Sequence, residues 1–326
     1  MRCGEKHASG ARNYDIGGKT MKKLLFLAPY APGGKVLDLP QTPRQKRQAQ
    51  ENHQICEALK RLDYDFFSTD DIDYLIVNGQ EYDMVWSLYS KHKSREFVPS
   101  LCRLLKLEYI GATPYIRTLT TDKNLSKQLA RHMGMDTAEW VIVSGTFGLP
   151  EAPPFSGPYF VKPRFGVVTV DIDETCICKT WSSAISKAEQ YFADDSDAII
   201  ERFVDGTEYG ITIVNTVDKN PIISAPYDTD NNLCPHESLT KMLHYFASQY
   251  FLQMQPCDYV YLTFLVDNKS GVPYFLGAND MMSLNLEGVP VSSLLSGCFK
   301  TYDDLIRHIM ELGIARLNAK RGLAQS

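Results

Sequence analysis

The sequence predicts a mixed α/β protein with two differently built parts. From Met21 to about residue 115, apolar runs typical of buried strands (KKLLFLA, YDMVWSLYS) alternate with amphipathic patterns typical of helices (TPRQKRQAQENHQICEALKRL, REFVPSLCRLLKL). This alternation favours a parallel sheet covered by helices. No GxGxxG follows the first strand, so the dinucleotide-binding fingerprint is absent.

The second part has the pattern of an α+β protein. It opens with TDKNLSKQLARHMGM, a predicted helix with Thr121 or Asp122 as its N-cap. Short β-rich runs separated by turn residues follow: EWVIV, PYFVKP, TCICKTW, AIIERFV, YGITIV, NPIIS, DYVYLTFLVD and PYFLGAN. The helical patterns WSSAISKAEQYFA and ESLTKMLHYFASQYFL interrupt them, and YDDLIRHIMELGIARLNA closes the chain. Antiparallel sheets with helices on one side satisfy this pattern.

Composition excludes several functional classes. The 326 residues are too many for one small core and carry a formal charge of −5, which gives no reason to expect nucleic acid or an anionic membrane as a partner. The eight cysteines are scattered without paired CxxC spacing, and we expect reduced thiols.

The segment MKKLLFLAPYAP (21–32) looks like a short signal peptide. Its apolar run is brief and Pro29 interrupts it, so a first buried strand and a cytoplasmic protein are the better interpretation. Residues 1–20 are polar and aperiodic, and we interpret them as a leader or cloning remnant.

Four short pieces carry chemical information. Lys123 lies just inside a predicted helix, and Lys162 ends a predicted strand in YFVKPRFG. Glu201 and Glu208 flank a turn in IIERFVDGTEYGI, and a predicted hairpin, DYVYLTFLVDNKSGVPYFLGAND, ends near Asn279. Each piece taken alone has an ordinary explanation as a surface charge or a hairpin. Their order and spacing are more specific.

In that order the pieces resemble the ATP-grasp superfamily, and within it the D-alanine–D-alanine ligase group. The resemblance runs from about Tyr109 to the C-terminus. It implies an ATP-grasp fold, in which an N-terminal parallel α/β domain precedes two subdomains that clamp a nucleotide. We therefore assign residues 21–115 to the N-terminal domain, 116–200 to the central subdomain and 201–326 to the C-terminal subdomain.

The resemblance also implies roles for individual residues. Lys123 and Lys162 match the lysines that contact the nucleotide phosphates, and a flexible ammonium suits a polyphosphate. Glu201 and Val204 match the segment that contacts adenine, and Glu208 matches the acid that binds the ribose hydroxyls. ATP is the cofactor implied.

The metal-binding half of the pattern is substituted. Where the family has a phosphoryl-stabilising arginine, a magnesium aspartate and a second magnesium carboxylate, this chain has Tyr261, Thr263 and Gly277. Only Asn279 matches a family magnesium ligand, and the loop after Lys162, which is Gly- and Ser-rich in the family, reads GVVTV. Mg²⁺ is usually held by one or two carboxylates plus phosphates, so these substitutions disfavour Mg²⁺ and turnover.

Other acids could rescue a metal site. Asp280 follows Asn279, but neighbouring strand residues face opposite sides, so a bulge is needed to bring Asp280 to the metal. Asp267 and Glu287 are further candidates in loops.

Substrate recognition has weaker support in the sequence. The segment SAPYDTDNNLCPHESL lies where the family has a mobile loop, and Tyr227, Asp228 and His236 within it are candidates to face a substrate such as a small amino acid. A solvated loop is the alternative interpretation. The N-terminal segment lacks the glutamate-and-serine pattern by which D-alanine ligases receive their first amino acid.

Two functions remain open at this point. The first is a catalytically impaired ATP-grasp homologue that acts as a partner subunit of an amino-acid ligase, as a homodimer or a heteromer with the active enzyme. The second is an active ATP-dependent carboxylate–amine ligase working through an acyl-phosphate.

Overall fold

The computed structural model describes residues 23–32, 39–89, 95–146, 148–166, 174–192 and 196–323. The proposed leader, residues 1–20, and the valine-rich loop, residues 167–170, lie outside these ranges.

The described residues form thirteen strands and nine α-helices. The strands are β1 (Leu24–Leu27), β2 (Phe66–Thr69), β3 (Met84–Ser87), β4 (Glu108–Ile110), β5 (Trp140–Val143), β6 (Tyr159–Pro163), β7 (Ile177–Cys178), β8 (Ala198–Arg202), β9 (Gly206–Val214), β10 (Ile222–Ile223), β11 (Tyr227–Asp228), β12 (Tyr259–Asp267) and β13 (Pro273–Asn279). The helices are α1 (Pro43–Arg61), α2 (Ile72–Asn78), α3 (Phe97–Leu104), α4 (Pro114–Thr121), α5 (Lys123–His132), α6 (Trp181–Phe192), α7 (Glu237–Gln253), α8 (Val289–Leu295) and α9 (Tyr302–Leu323).

The chain divides into two compact units. The first contains the described residues of 1–91, 100–110 and 301–326, and the second contains those of 92–99 and 111–300. The closing helix α9 is therefore part of the first unit, whereas the sequence analysis placed it with the C-terminal subdomain. The other predicted boundaries remain predictions.

The first unit is built on a parallel sheet, as the alternating pattern predicts. Its strand order is β2-β1-β3-β4, and β1 pairs in parallel with both β2 and β3. Every residue of β1 and β3 is buried, which is why both strands read as continuous apolar runs. Helix α1 begins at a capping box, in which Thr42 Oγ1 accepts from Gln45 N (3.2 Å) and Gln45 Oε1 accepts from Thr42 N (2.9 Å).

The second unit contains two antiparallel sheets. A four-stranded sheet, here called the small sheet, has the order β5-β8-β6-β7, and α6 packs on one of its faces. A five-stranded sheet, the large sheet, has the order β10-β9-β12-β13 with β11 also paired to β9. Helices α4, α5 and α7 share a core with one face of the large sheet. The opposite faces of the two sheets line a cleft, and we call them the cleft faces. Helix α8 also packs on the cleft face of the large sheet, where Thr212 Oγ1 donates to Pro290 O (3.0 Å), and Lys127 of α5 contacts Glu201 on that of the small sheet.

The predicted N-cap of α5 is confirmed by this fold. Asp122 is the N-cap of α5, because its Oδ1 accepts a hydrogen bond from Asn124 N (2.9 Å). The seven cysteines of the described ranges are all free. Within these same ranges, no helix has the length and apolar character needed to cross a membrane.

Candidate functional site

A cavity of about 390 Å³ lies between the two cleft faces, within the range of about 300–1,000 Å³ typical of small-molecule sites. Its walls are mostly apolar, and its polar groups are few. The lining residues are Ala138, Phe160, Lys162, Glu201, Arg202, Phe203, Val204, Asp205, Gly206, Glu208, Leu265, Tyr274 and Leu276. Four of the five residues that the resemblance assigns to ATP (Lys162, Glu201, Val204 and Glu208) therefore line one cavity, and Lys123 is the exception.

Strand alternation explains how the small sheet presents its charged residues. In β6, Tyr159 and Val161 belong to the core under α6, so Phe160 and Lys162 point to the cleft. Glu201 on β8 pairs directly with Phe160 on β6 and therefore shares the cleft face.

Glu201 is held between two buried ammonium groups. Its Oε1 lies 3.0 Å from Lys162 Nζ and 3.2 Å from Lys127 Nζ. All three side chains are at most 4% exposed. Burial alone would raise the pKa of Glu201, but the two lysines outweigh burial and the net shift is downward. Burial lowers the pKa of Lys127 to about 8. One carboxylate oxygen of Glu201, Oε1, is thus shared between the two lysines.

Lys123 holds the turn after β6 rather than lining the cavity. Its Nζ donates to Pro163 O (3.0 Å) and to Gly166 O (3.1 Å). Burial, followed by the charge of Lys162, lowers the pKa of Lys123 to about 7. Arg164 fastens the same turn, since its guanidinium contacts Asp122 (2.8 Å) and Asp197 (3.0 Å). Lys123 thereby lies at the base of the loop that continues past Gly166.

The linker between β8 and β9 forms one edge of the cavity. Arg202 N donates to Glu139 O (2.8 Å) and Phe203 N donates to Pro158 O (2.8 Å). The next residue, Val204, lines the cavity, and its N–H donates to no backbone acceptor among the described residues. Beyond the linker, burial raises the pKa of Glu208, which is the only carboxylate on the large-sheet wall of the cavity among the described residues.

The three substituted positions and Asn279 form two neighbouring cross-strand pairs on the large sheet. Thr263 pairs with Gly277, and Tyr261 pairs with Asn279. Leu262, Phe264 and Ala278 belong to the core, so both pairs face the cleft. A bulge at Leu276, between the Thr263 and Phe264 pairings, sets this orientation because the extra residue reverses the alternation along β13.

These residues do not fit a magnesium ion. Thr263 Oγ1 lies 3.4 Å from Gly277 O, and Asn279 Oδ1 accepts from Met281 N (3.1 Å). Neither pair offers a carboxylate, and the described part of the chain contains no group of three or more His, Cys, Asp or Glu side chains placed to hold a metal. Mg²⁺ requires hard oxygen ligands in octahedral geometry, and neutral oxygens already bonded to the protein are poor substitutes for carboxylates.

Two of the three rescue candidates, Asp280 and Asp267, are engaged elsewhere. The bulge that turns Asn279 to the cleft places Asp280 on the opposite side, where its carboxylate lies 2.5 Å from Arg117 Nε and accepts from Thr120 Oγ1 (2.6 Å). Asp267 Oδ1 caps the hairpin turn by accepting from Lys269 N and Ser270 N. Glu287 is exposed.

The predicted substrate residues are only partly near the cleft. Tyr227 pairs with Gly210 of β9, which puts it on the cleft face of the large sheet. Asp228 Oδ1 accepts from Asp230 N (3.0 Å) and Asn232 N (2.8 Å), so this carboxylate organises its own loop. His236 is exposed and precedes α7.

The sequence analysis missed three residues that shape the site: Lys127, Arg117 and Gly210. Lys127 follows Lys123 by one helical turn, and that spacing is a signal that a search for paired lysines would find. The contact of Arg117 with Asp280 spans 163 positions and has no local signal.

Comparisons with known proteins agree with this geometry. No family model matches the chain. It is 24% identical over 281 residues to a D-alanine–D-alanine ligase of Nitrosomonas eutropha, covering 80% of this chain and 90% of that protein. It is 27% identical over 153 residues to D-alanine–D-alanine ligase A of Bacillus cereus, covering 46% of this chain and 50% of that protein.

Solved structures match over a longer span. A D-alanine–D-alanine ligase from Bacillus anthracis complexed with ATP superposes with a TM-score of 0.75 at 18% identity, covering 92% of this chain and 100% of that one. The ligase from Coxiella burnetii gives a TM-score of 0.72 at 15% identity, covering 94% and 97%. The chain therefore has the ATP-grasp fold. Within that class it is similar, in sequence and structure, to the D-alanine–D-alanine ligases.

Proposed function

We propose that this chain is a catalytically impaired D-alanine–D-alanine ligase-like protein that binds an adenine nucleotide in the cytoplasm and acts as a partner subunit of an active amino-acid ligase. The observation that carries the proposal is the contrast within one cleft. The wall formed by Lys162, Glu201 and Glu208 is present, whereas the paired positions Thr263 and Gly277 offer no carboxylate.

The cavity supports adenine and ribose as ligands. Phe160 from the small sheet and Leu265 and Leu276 from the large sheet supply apolar surface on opposite sides, which suits a flat base. Val204 and Glu208 also line this cavity, and a carboxylate such as that of Glu208 can accept hydrogen bonds from ribose hydroxyls. A solved ligase with the same fold is complexed with ATP.

The second half of the cleft supports impairment. Phosphoryl transfer depends on positioning and on neutralising charge with a metal and basic groups, and losing one such stabilising donor typically costs about 10²–10³ in rate. Here an aromatic ring, a hydroxyl and a glycine stand where the resemblance implies an arginine and two carboxylates. An active carboxylate–amine ligase is the competing function, and it requires metal ligands from outside these pairs.

Titration calorimetry with ATP, with and without Mg²⁺, tests nucleotide binding and its metal dependence. We expect weak binding that is the same in Mg²⁺ and in EDTA, because the base-side wall is independent of the metal positions. Tight binding that disappears in EDTA would contradict the proposal.

Metal-dependent release of ADP tests impairment and partnership together. The purified chain is assayed with a panel of amino acids, alone and mixed with a D-alanine–D-alanine ligase encoded in the same genome, and the mixture is also run on a sizing column. We expect no ADP release from the chain alone, and co-elution with the ligase. Rapid metal-dependent ADP production by the isolated chain would establish the active-ligase alternative instead.

A further inference from the structure

Gly210 and Tyr261 form a matched pair on the cleft face of the large sheet. Gly210 lies in the interior of the nine-residue strand β9, where glycine costs stability relative to residues with a side chain. A Cβ atom built on Gly210 would lie 1.7 Å from the Tyr261 hydroxyl oxygen and 2.1 Å from Tyr261 Cζ. The Tyr261 ring therefore occupies the volume that any side chain at position 210 would need.

The direction of the ring follows from the register. Tyr261 is paired with Thr212, yet its hydroxyl lies over Gly210, the next cleft-facing position along β9. The ring thus leans along β9 towards Glu208, the following cleft-facing residue, about 7 Å further on at the usual strand rise. Consistent with this closeness, burial and then the charge of Glu208 raise the pKa of Tyr261.

The ring lies immediately beyond the end of the cavity. Glu208 and Leu265 are opposite each other and line the cavity, whereas the next pair along the same strands, Gly210 and Thr263, does not. The phenol of Tyr261 covers Gly210 of that next pair. On the large-sheet side, a ligand that extends past Glu208 meets an aromatic ring.

Resting on the proposed function, we propose that the Tyr261–Gly210 pair ends the ligand site after the ribose, so that the cleft selects the adenine nucleoside portion of its ligand and gains little from a triphosphate. Glycine at position 210 then leaves the space that the Tyr261 ring needs to close the cleft. The substitution at Tyr261 does more than remove a cation, because it fills the space next to the ribose.

A comparison of adenosine, ADP and ATP by calorimetry in EDTA tests the proposal. We expect the three ligands to bind the unmodified chain with dissociation constants within about threefold of each other, which corresponds to less than one decade of affinity. Tyr261→Ala should tighten ATP relative to adenosine by about tenfold or more, because it opens the route past Glu208. Tyr261→Phe keeps the ring and should behave as the unmodified chain.

Gly210→Ala tests the structural premise independently of ligand binding. It should lower the urea midpoint of unfolding in the unmodified chain, because the new methyl group displaces the Tyr261 ring. In the Tyr261→Ala background the same change should raise the midpoint, since the space is vacant and alanine suits a strand better than glycine. If Gly210→Ala changes the urea midpoint equally in both backgrounds, the proposed pairing of Gly210 with Tyr261 is wrong.

The outcomes separate this inference from the proposed function. If none of the three ligands binds the unmodified chain, the proposed function fails and the inference fails with it. If adenosine binds but ATP binds far more tightly to the unmodified chain, the nucleotide site stands and the inference is overturned. A ratio of ATP to adenosine affinity that is unchanged in Tyr261→Ala also overturns it.

Discussion

Tyr261, Thr263 and Gly277 lie on one face of two paired strands. The arginine and the two carboxylates that the resemblance implies at these positions would therefore all lie in one small region. Thr263 and Gly277 are opposite each other, and Tyr261 is one cleft-facing step away on β12. A carboxylate placed at only one of these positions has no second carboxylate beside it to share a divalent cation. Under the proposed function, the missing negative charge is therefore a property of these positions taken together.

Restoring the site requires several changes at once. Tyr261→Arg, Thr263→Asp and Gly277→Glu together should create Mg²⁺-dependent ATP binding before any ligase activity appears, since two facing carboxylates supply the charge that Mg²⁺ needs. Calorimetry in Mg²⁺ and in EDTA checks this, with each single variant as a matched control that should change little. Full Mg²⁺-dependent turnover in Thr263→Asp alone would show that the deficit lies at one residue.

Glu201 is the carboxylate that both Lys127 and Lys162 contact inside the protein. Glu201→Gln leaves both ammonium groups buried without a carboxylate, and we expect the free energy of unfolding to fall by about 3–5 kcal/mol. Glu139→Gln is the control, because Glu139 pairs with Arg202 at 3.4 Å but is 55% exposed, and exposed pairs are worth about 0–1 kcal/mol. Urea unfolding of the two variants measures the difference, and equal losses would mean that the buried cluster is no more important than a surface pair.

At the scale of elements, β13 decides which residues reach the cleft. Its bulge at Leu276 sends Gly277 and Asn279 to the cleft face and Asp280 to the other side. There Asp280 meets Arg117 and Thr120 of α4, so the end of β13 is fastened to that helix by a buried ion pair.

Removing either partner of this ion pair should be strongly destabilising, because the other partner is then a buried charge without a counter-ion. Arg117→Met leaves a buried carboxylate, and we expect a loss of about 3–5 kcal/mol in the free energy of unfolding. Adding Asp280→Asn to Arg117→Met should recover part of that loss, because the stranded charge is gone. Arg61→Met is the control, because the ion pair between Arg61 and Asp303 is partly exposed. If the losses in free energy of unfolding caused by Arg117→Met and Asp280→Asn simply add in the double variant, the two side chains do not stabilise each other.

At the scale of the whole molecule, the buried lysines link stability to pH. The folded-state pKa values of Lys123 and Lys127 are lowered to about 7 and about 8, against about 10.4 for an unfolded lysine. Between pH 8 and pH 10 the unfolded chain therefore binds more protons than the folded chain at these two positions. Linkage then requires that their contribution to the free energy of unfolding rises with pH across this window.

Lys123→Met should reduce that slope. Replacing one lysine whose pKa is lowered should reduce the slope of the free energy of unfolding against pH by up to about 1.4 kcal/mol per pH unit between pH 8 and pH 10. Urea unfolding at several pH values measures the slope, and Lys241→Met, which removes an exposed lysine of α7, is the control. If Lys123→Met and the unmodified chain give parallel curves, Lys123 is charged throughout the window.

The sequence by itself determined most of the fold and the residues of the candidate site. Local periodicity predicted β1, β3, α1 and all strands from β5 to β13 except β11, because burial on one face or on both leaves a repeat of two or an apolar run. It missed short elements such as β2, whose sequence FFST shows too little alternation to stand out. The family resemblance implied one nucleotide site for Lys162, Glu201 and Glu208, and the three residues line one cavity.

Only the tertiary structure decided how these residues are used. The partners of Glu201, of Asp280 and of Tyr261 lie 74, 163 and 51 positions away in sequence, at Lys127, Arg117 and Gly210. Such pairings depend on strand register and on the bulge in β13, and a shift of one residue would send every side chain beyond it to the opposite face. The sequence names the groups that face the cleft, but long-range register decides which of them are free for a ligand and which hold the protein together.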